Sequence, residues 1–263
     1  MAPIEIRDRT LRDITTGQDS YILLFALLII DYLSLSLIDS QRWGGLIHIV
    51  PISLSVLVGL HTSGAHIRTL RFAAAVLGVA LLASIAQVIN DNRQVGAVAF
   101  FMVALLLAMT AMAILGRILR HRHVTLETMF GAVDVYILIG LFFSSLFIGI
   151  ALASSAHHLG PFLAQPGPHN SSDYVYLSFI TLTTVGFGDL TPYTDLARSV
   201  VVLEALLGQI FLVTLVARLV TLFGLERPHL VDVDLGIEPP SEISPDPFKL
   251  DDDADPPTKP PNA

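Results

Sequence analysis

Six apolar runs constrain this chain before any motif does. Residues 21–38, 43–60, 72–89, 95–116, 129–153 and 199–223 each reach the roughly 17 to 25 mostly apolar residues needed to cross a bilayer as a helix. The rest of the composition agrees: 53% of residues are hydrophobic and only 14% charged, where soluble domains carry about a quarter charged residues. The chain is expected to be an all-α membrane protein with six transmembrane helices, leaving little sequence for a soluble core.

The basic residues orient these spans, because Lys and Arg near helix ends stay on the cytoplasmic side. With six crossings both termini share one side. Arg7, Arg9, Arg12, Arg68, Arg71, Arg117, Arg120, Arg122, Arg218, Arg227, Lys249 and Lys259 fall on that side, whereas Arg42, Arg93 and Arg198 fall opposite. The expected placement is therefore a multi-pass cell-membrane protein with both termini cytoplasmic. The first run is too long for a signal-peptide core and reads as a retained helix. The absence of cysteine excludes a disulfide-stapled outer loop, thiolate metal sites and a catalytic thiol.

The chain divides into residues 1–18, a polar cytoplasmic arm; 19–116, a four-helix transmembrane module; 117–128, a cytoplasmic linker; 129–224, a pore-type unit; and 225–263, a tail rich in Pro and Asp. The arm reads either as a surface helix or as a frayed terminus. Much of the formal net charge of −8 belongs to the tail. That segment has too little apolar surface to offset the entropy of ordering, so disorder is expected from about Asp232. Short loops join the first four runs, so neighbouring helices should pack antiparallel. The connection 154–198 is far longer than any other, and long connections in compact proteins are usually functional.

Inside that connection, "SSDYVYLSFITLTT" offers Ser171 or Ser172 as a helix cap and Asp173 in the first turn. As a helix it would rise only about 20 Å, too little to cross and return. It reads as a re-entrant half-helix followed by irregular backbone, tolerated at membrane depth only where protein or water covers it. In Thr184-Val185-Gly186-Phe187-Gly188, glycines alternate with bulkier residues, and glycine easily takes a positive φ. Alternating the backbone sense would turn successive carbonyls toward one line, with Val185 and Phe187 packed outward into a wall. Four such ladders around an axis can replace the hydration shell of a cation.

The segment "TVGFGD", Thr184–Asp189, resembles the filter signature of the potassium channel family. The resemblance covers about 129–224 and implies an outer helix, pore helix, selectivity filter and inner helix. It assigns filter carbonyls that bind K⁺ to Thr184, Val185, Gly186 and Phe187, with the Thr184 hydroxyl closing the inner end and Gly188 and Asp189 forming the outer mouth. Phe187 stands where tyrosine is commonest, removing a hydroxyl that would tie the filter to its cuff. Ile180 stands where some bacterial relatives place a carboxylate facing the filter aspartate, and Tyr176, one turn earlier, is the expected partner of Asp189 instead. The family also implies a homotetramer, so each chain would meet three identical subunits, membrane lipid and permeating potassium ions. No further cofactor is expected.

Gly208 lies 19 residues after Asp189, where similar channels carry a hinge glycine. Bending is one reading and close helix packing the other. Leu212, Val216 and Val220 recur every four residues and would line an apolar cavity or face lipid. Glu204 is a carboxylate in an apolar run, a functional candidate by default; its expected partner is Thr181 or Thr183, with a subunit seam as the alternative. Asp31 should make a polar contact inside the four-helix module, and Asp134 should meet Arg117 or Arg120.

Voltage sensors need several basic residues at three-residue steps through the membrane, and 95–116 contains none. Strong voltage gating is not expected. Nine histidines include His157, His158 and His169 in the long connection, where imidazole invites proton modulation. No nucleophile–base pair or nucleotide loop suggests an enzyme, and the acidic balance argues against nucleic acid. The alternatives are a nonselective cation channel, or a potassium transporter or membrane sensor that keeps a filter-like motif.

Overall fold

A helix does not end where hydrophobicity ends, and this shapes the frame of the molecule. The computed structural model describes residues 18–37, 44–90, 92–120, 126–157 and 160–223. They fall in the first of two units, Met1–Leu225, and the second, Glu226–Ala263, lies outside the described residues, as do residues 1–17 of the N-terminal arm and His158. Seven helices are described: α1 (Gln18–Leu37), α2 (Gly44–Thr62), α3 (Ile67–Asn90), α4 (Arg93–Arg120), α5 (Leu126–His157), α6 (Ser171–Leu182) and α7 (Asp195–Phe223). Helix enters the expected linker 117–128 from both sides, because the polar residues flanking each apolar run are good helix formers and extend it.

The segments Ile67–Asn90, Arg93–Leu119, Thr128–Ser155 and Asp195–Arg218 are long and apolar enough to cross a membrane. α1 and α2 hold shorter apolar stretches, Tyr21–Ser36 and Val50–Thr62. Pro51 sits inside α2, where it removes a backbone donor. Among the described residues the pattern is all-helical apart from one isolated bridge, Leu163 with Pro192.

α4 packs along α5, while α3 lies on α4 and α1 on α2. α1 also reaches the second half of its own chain, contacting α5 and α6. Its Phe25 meets Phe130 edge-on at 6.2 Å, and Tyr32 meets Phe179 at 5.0 Å. The first four helices thus rest on the same chain's long-connection unit. Leu24, Leu28, Leu106, Leu107, Leu138 and Leu141 are fully buried at this junction. A second cluster runs through Phe143, Phe147, Phe162 and Tyr174, with successive ring centroids 6.0, 5.0 and 5.7 Å apart. That aromatic chain carries packing from α5 through the 160–170 loop to the start of α6.

Charged groups fasten two helix ends. Arg117 donates to the Thr62 carbonyl, and Arg218 Nη2 donates to the Ile118 carbonyl at 2.8 Å, joining α7 to α4. The two intramembrane aspartates depart from expectation: Asp31 and Asp134 are fully buried, yet neither carboxylate accepts a hydrogen bond. Arg117 is turned to a backbone carbonyl instead of to Asp134. The Arg120 side chain lies outside the described residues.

Candidate functional site

The site grows from a short helix that is buried on most of its surface. α6 has 12 residues, about 18 Å of rise. Tyr174, Val175, Leu177, Ser178, Ile180 and Leu182 are all buried. Its cap is Asn170, one residue before the expected serines, in an extended conformation. Asp173 selects that register: as third helical residue its Oδ2 reaches back to the Asn170 N–H at 3.2 Å, and its own N–H donates to the Asn170 carbonyl at 3.1 Å.

The helix stops at Leu182, with Thr183 as its C-cap, and the expected helix over Thr183 and Thr184 does not form. Backbone geometry changes there. Thr184 has φ 59°, Gly186 φ 51° and Gly188 φ 78°. Thr184 is the one non-glycine at positive φ among the described residues, in a region costly for a residue with a Cβ. Every second residue of the motif is thus left-handed. Thr184 N–H donates to Thr181 O at 3.0 Å and Gly186 N–H to Ile180 O at 3.1 Å, folding the segment back on the helix end. Thr183 through Asp189 are exposed, including Val185 at 51% and Phe187 at 71%. The expected outward wall for those two side chains is therefore not built within one chain.

Behind this segment the three helices meet through polar contacts that sequence patterning missed. Ser178 Oγ lies 2.8 Å from the Gly140 carbonyl on α5 and 2.5 Å from Glu204 Oε1 on α7. Glu204 is fully buried, and its partner is Ser178, not Thr181 or Thr183, because it faces the middle of α6 and not its end. Its second oxygen has no hydrogen-bond partner. Tyr136 on α5 donates its hydroxyl to the Leu182 carbonyl at 2.9 Å and stacks on Phe211 at 6.0 Å. A lone tyrosine in an apolar span was the available clue, since a buried phenol needs a partner.

Gly208 lies against the same residue. A Cβ there would come within 2.6 Å of Leu182 Cδ1 and 3.3 Å of the Leu182 carbonyl. α7 is helical without a break from Asp195 to Phe223, so of the two readings of Gly208 the contact favours close packing. Leu212 and Val216 are exposed, and the Val220 side chain lies outside the described residues.

Beyond the motif the chain turns back to the long connection. The Tyr176 hydroxyl faces the Asp189 side chain. Gln165 bonds both ways with Thr191, accepting from its N–H at 3.1 Å and donating to its Oγ1 at 3.2 Å. Ala164 N–H donates to Thr191 O, and Tyr193 N–H to Phe162 O, at 2.9 and 2.8 Å. The arrangement presents exposed backbone beside an apolar helix.

Comparison with known families covers this same region, residues 152–224, which match the family described as "Ion channel". The matched stretch is similar to an ion channel family. It includes α6, the left-handed segment and α7, and it supports the resemblance to potassium channels. No curated protein and no solved structure matches the chain. The ion channel stretch implies passive movement of ions by a membrane-embedded protein.

Proposed function

We propose that the chain is one subunit of a tetrameric, potassium-selective channel, with α6 as a re-entrant pore helix and 184–188 as the selectivity filter. The observation that carries this reading is the positive φ at Thr184, Gly186 and Gly188. A backbone whose handedness alternates residue by residue sends successive carbonyls to one side. Thr184, Val185, Gly186 and Phe187 then supply oxygens that substitute for the ion's water, with nothing bulkier than backbone on the ion path. The exposure of Val185 and Phe187, and of Leu203, Leu206, Ile210 and Val213 on α7, supports neighbouring subunits as their cover. Six spans, with both termini cytoplasmic, complete the proposed topology.

Flow is passive and only weakly voltage-dependent, since 95–116 carries no basic residue. Purified protein in a planar bilayer under opposed potassium and sodium gradients tests the proposal. The reversal potential should follow potassium. A reversal potential indifferent to the potassium gradient would instead indicate a nonselective pore, and native mass spectrometry of the solubilised protein should give four chains.

A further inference from the structure

Both nitrogens of one imidazole in the long connection face hydrogen-bond acceptors. His169 Nδ1 lies 3.2 Å from Asp173 Oδ2, and Nε2 lies 2.9 Å from the Gln165 carbonyl oxygen. A neutral imidazole carries one N–H, so one of these contacts would set a lone pair against an acceptor; an imidazolium donates to both. We propose that His169, Asp173 and the Gln165 carbonyl form a proton-binding site that couples proton concentration outside the filter to the rigidity of its outer end.

Asp173 is the carboxylate that caps α6 through the Asn170 N–H. Gln165 holds Thr191 by two side-chain bonds, and Thr191 stands two residues beyond Asp189. One proton thus links the start of α6 to the segment leaving the motif. The other groups near the ring do not replace it. Tyr174 meets the imidazole edge-on at 6.5 Å, and Arg198 Nε is directed at the Pro192 carbonyl at 3.4 Å. The His169 side chain keeps 15% of its surface exposed, so solvent protons reach it.

The sign follows from the donors. With the proton bound both ties exist; without it one tie is lost and the loop loosens from either α6 or Gln165. The current readout rests on the channel proposal, whereas the site itself does not.

Full-length protein carrying ¹⁵N-labelled histidine, in nanodiscs, gives the direct test, with the signal assigned by H169Q. At pH about 6 both His169 ring nitrogens should be protonated; a neutral ring there overturns the site. In a planar bilayer, raising pH from about 6 to about 8 on the filter's outer side should lower sustained wild-type current about fivefold, and the same change on the other side should not. H169R, a permanent double donor, should keep high current at both values. A wild-type current without pH dependence, or an H169R current as sensitive as wild type, overturns the coupling. Absence of any wild-type current at every pH counts against the channel reading and leaves the resonance measurement to judge the site.

Discussion

α5 and α7 flank the same short helix and are equally apolar, yet their surroundings differ. In α5, 67% of the spanning window is buried; in α7 the figure is 11%. α5 finds its contacts within the chain, through α4, α1 and α6. α7 is tied at Ala197, Glu204, Gly208, Phe211 and Arg218, and most of the rest of its apolar surface is exposed. Helices of equal hydropathy can therefore have opposite structural roles, one completing a single chain and the other waiting on other surfaces. In the proposed channel those surfaces are further copies, and the filter beside α7 shares its exposure for the same reason.

The sharpest way to break this contrast is at the filter. Gly186→Ala adds a methyl that meets nothing within 4 Å in one chain, at φ +51°. Folding of the single-chain contacts should survive, while single-channel current in a bilayer should fall on the order of a hundredfold from a backbone cost of about 1–3 kcal/mol. Undiminished current would show that the bare segment is not the conducting one.

Next in size is the α6–α7 tie. Glu204→Ala removes a buried side chain and the contact to Ser178, and thermal melting in detergent should show a loss of about 2–4 kcal/mol. Glu204→Gln keeps the shape and a polar partner and should cost under about 1.5 kcal/mol. Equal losses would mean that the charge, not the contact, matters there. Gly208→Ala should destabilise by about 1–3 kcal/mol through overlap with Leu182. A hinge would instead show altered gating at unchanged melting temperature. The smallest effect belongs to Tyr176→Phe, which removes the hydroxyl facing Asp189. Current decay should quicken several-fold, and unchanged decay would separate Asp189 from the restraint.

Much of the site was legible because its signals are local. Alternating glycines, a helix too short to cross and a long connection all lie within 154–198, and the left-handed Gly186 and Gly188 fall where the alternating glycines predict them, while the left-handed Thr184 does not follow from residue type. The cap of α6 was misplaced by one residue because asparagine and serine are comparable caps; the register follows from which position lets Asp173 reach back. Ser178 and Gly140 were missed because each is ordinary in its own helix, and Tyr136, though a lone phenol in an apolar run, because its partner appears only where α5, α6 and α7 converge.

By itself the sequence determined that the chain is helical and membrane-embedded, where its filter-like segment begins and that no basic ladder crosses with α4. Periodicity, length and local backbone freedom suffice for those conclusions. Only the tertiary structure decided that Glu204 meets Ser178, that Gly208 admits Leu182, and that the first four helices rest on their own chain. Each of these depends on which faces of distant helices come together, and hydropathy is nearly uniform around such helices, so it cannot specify a face.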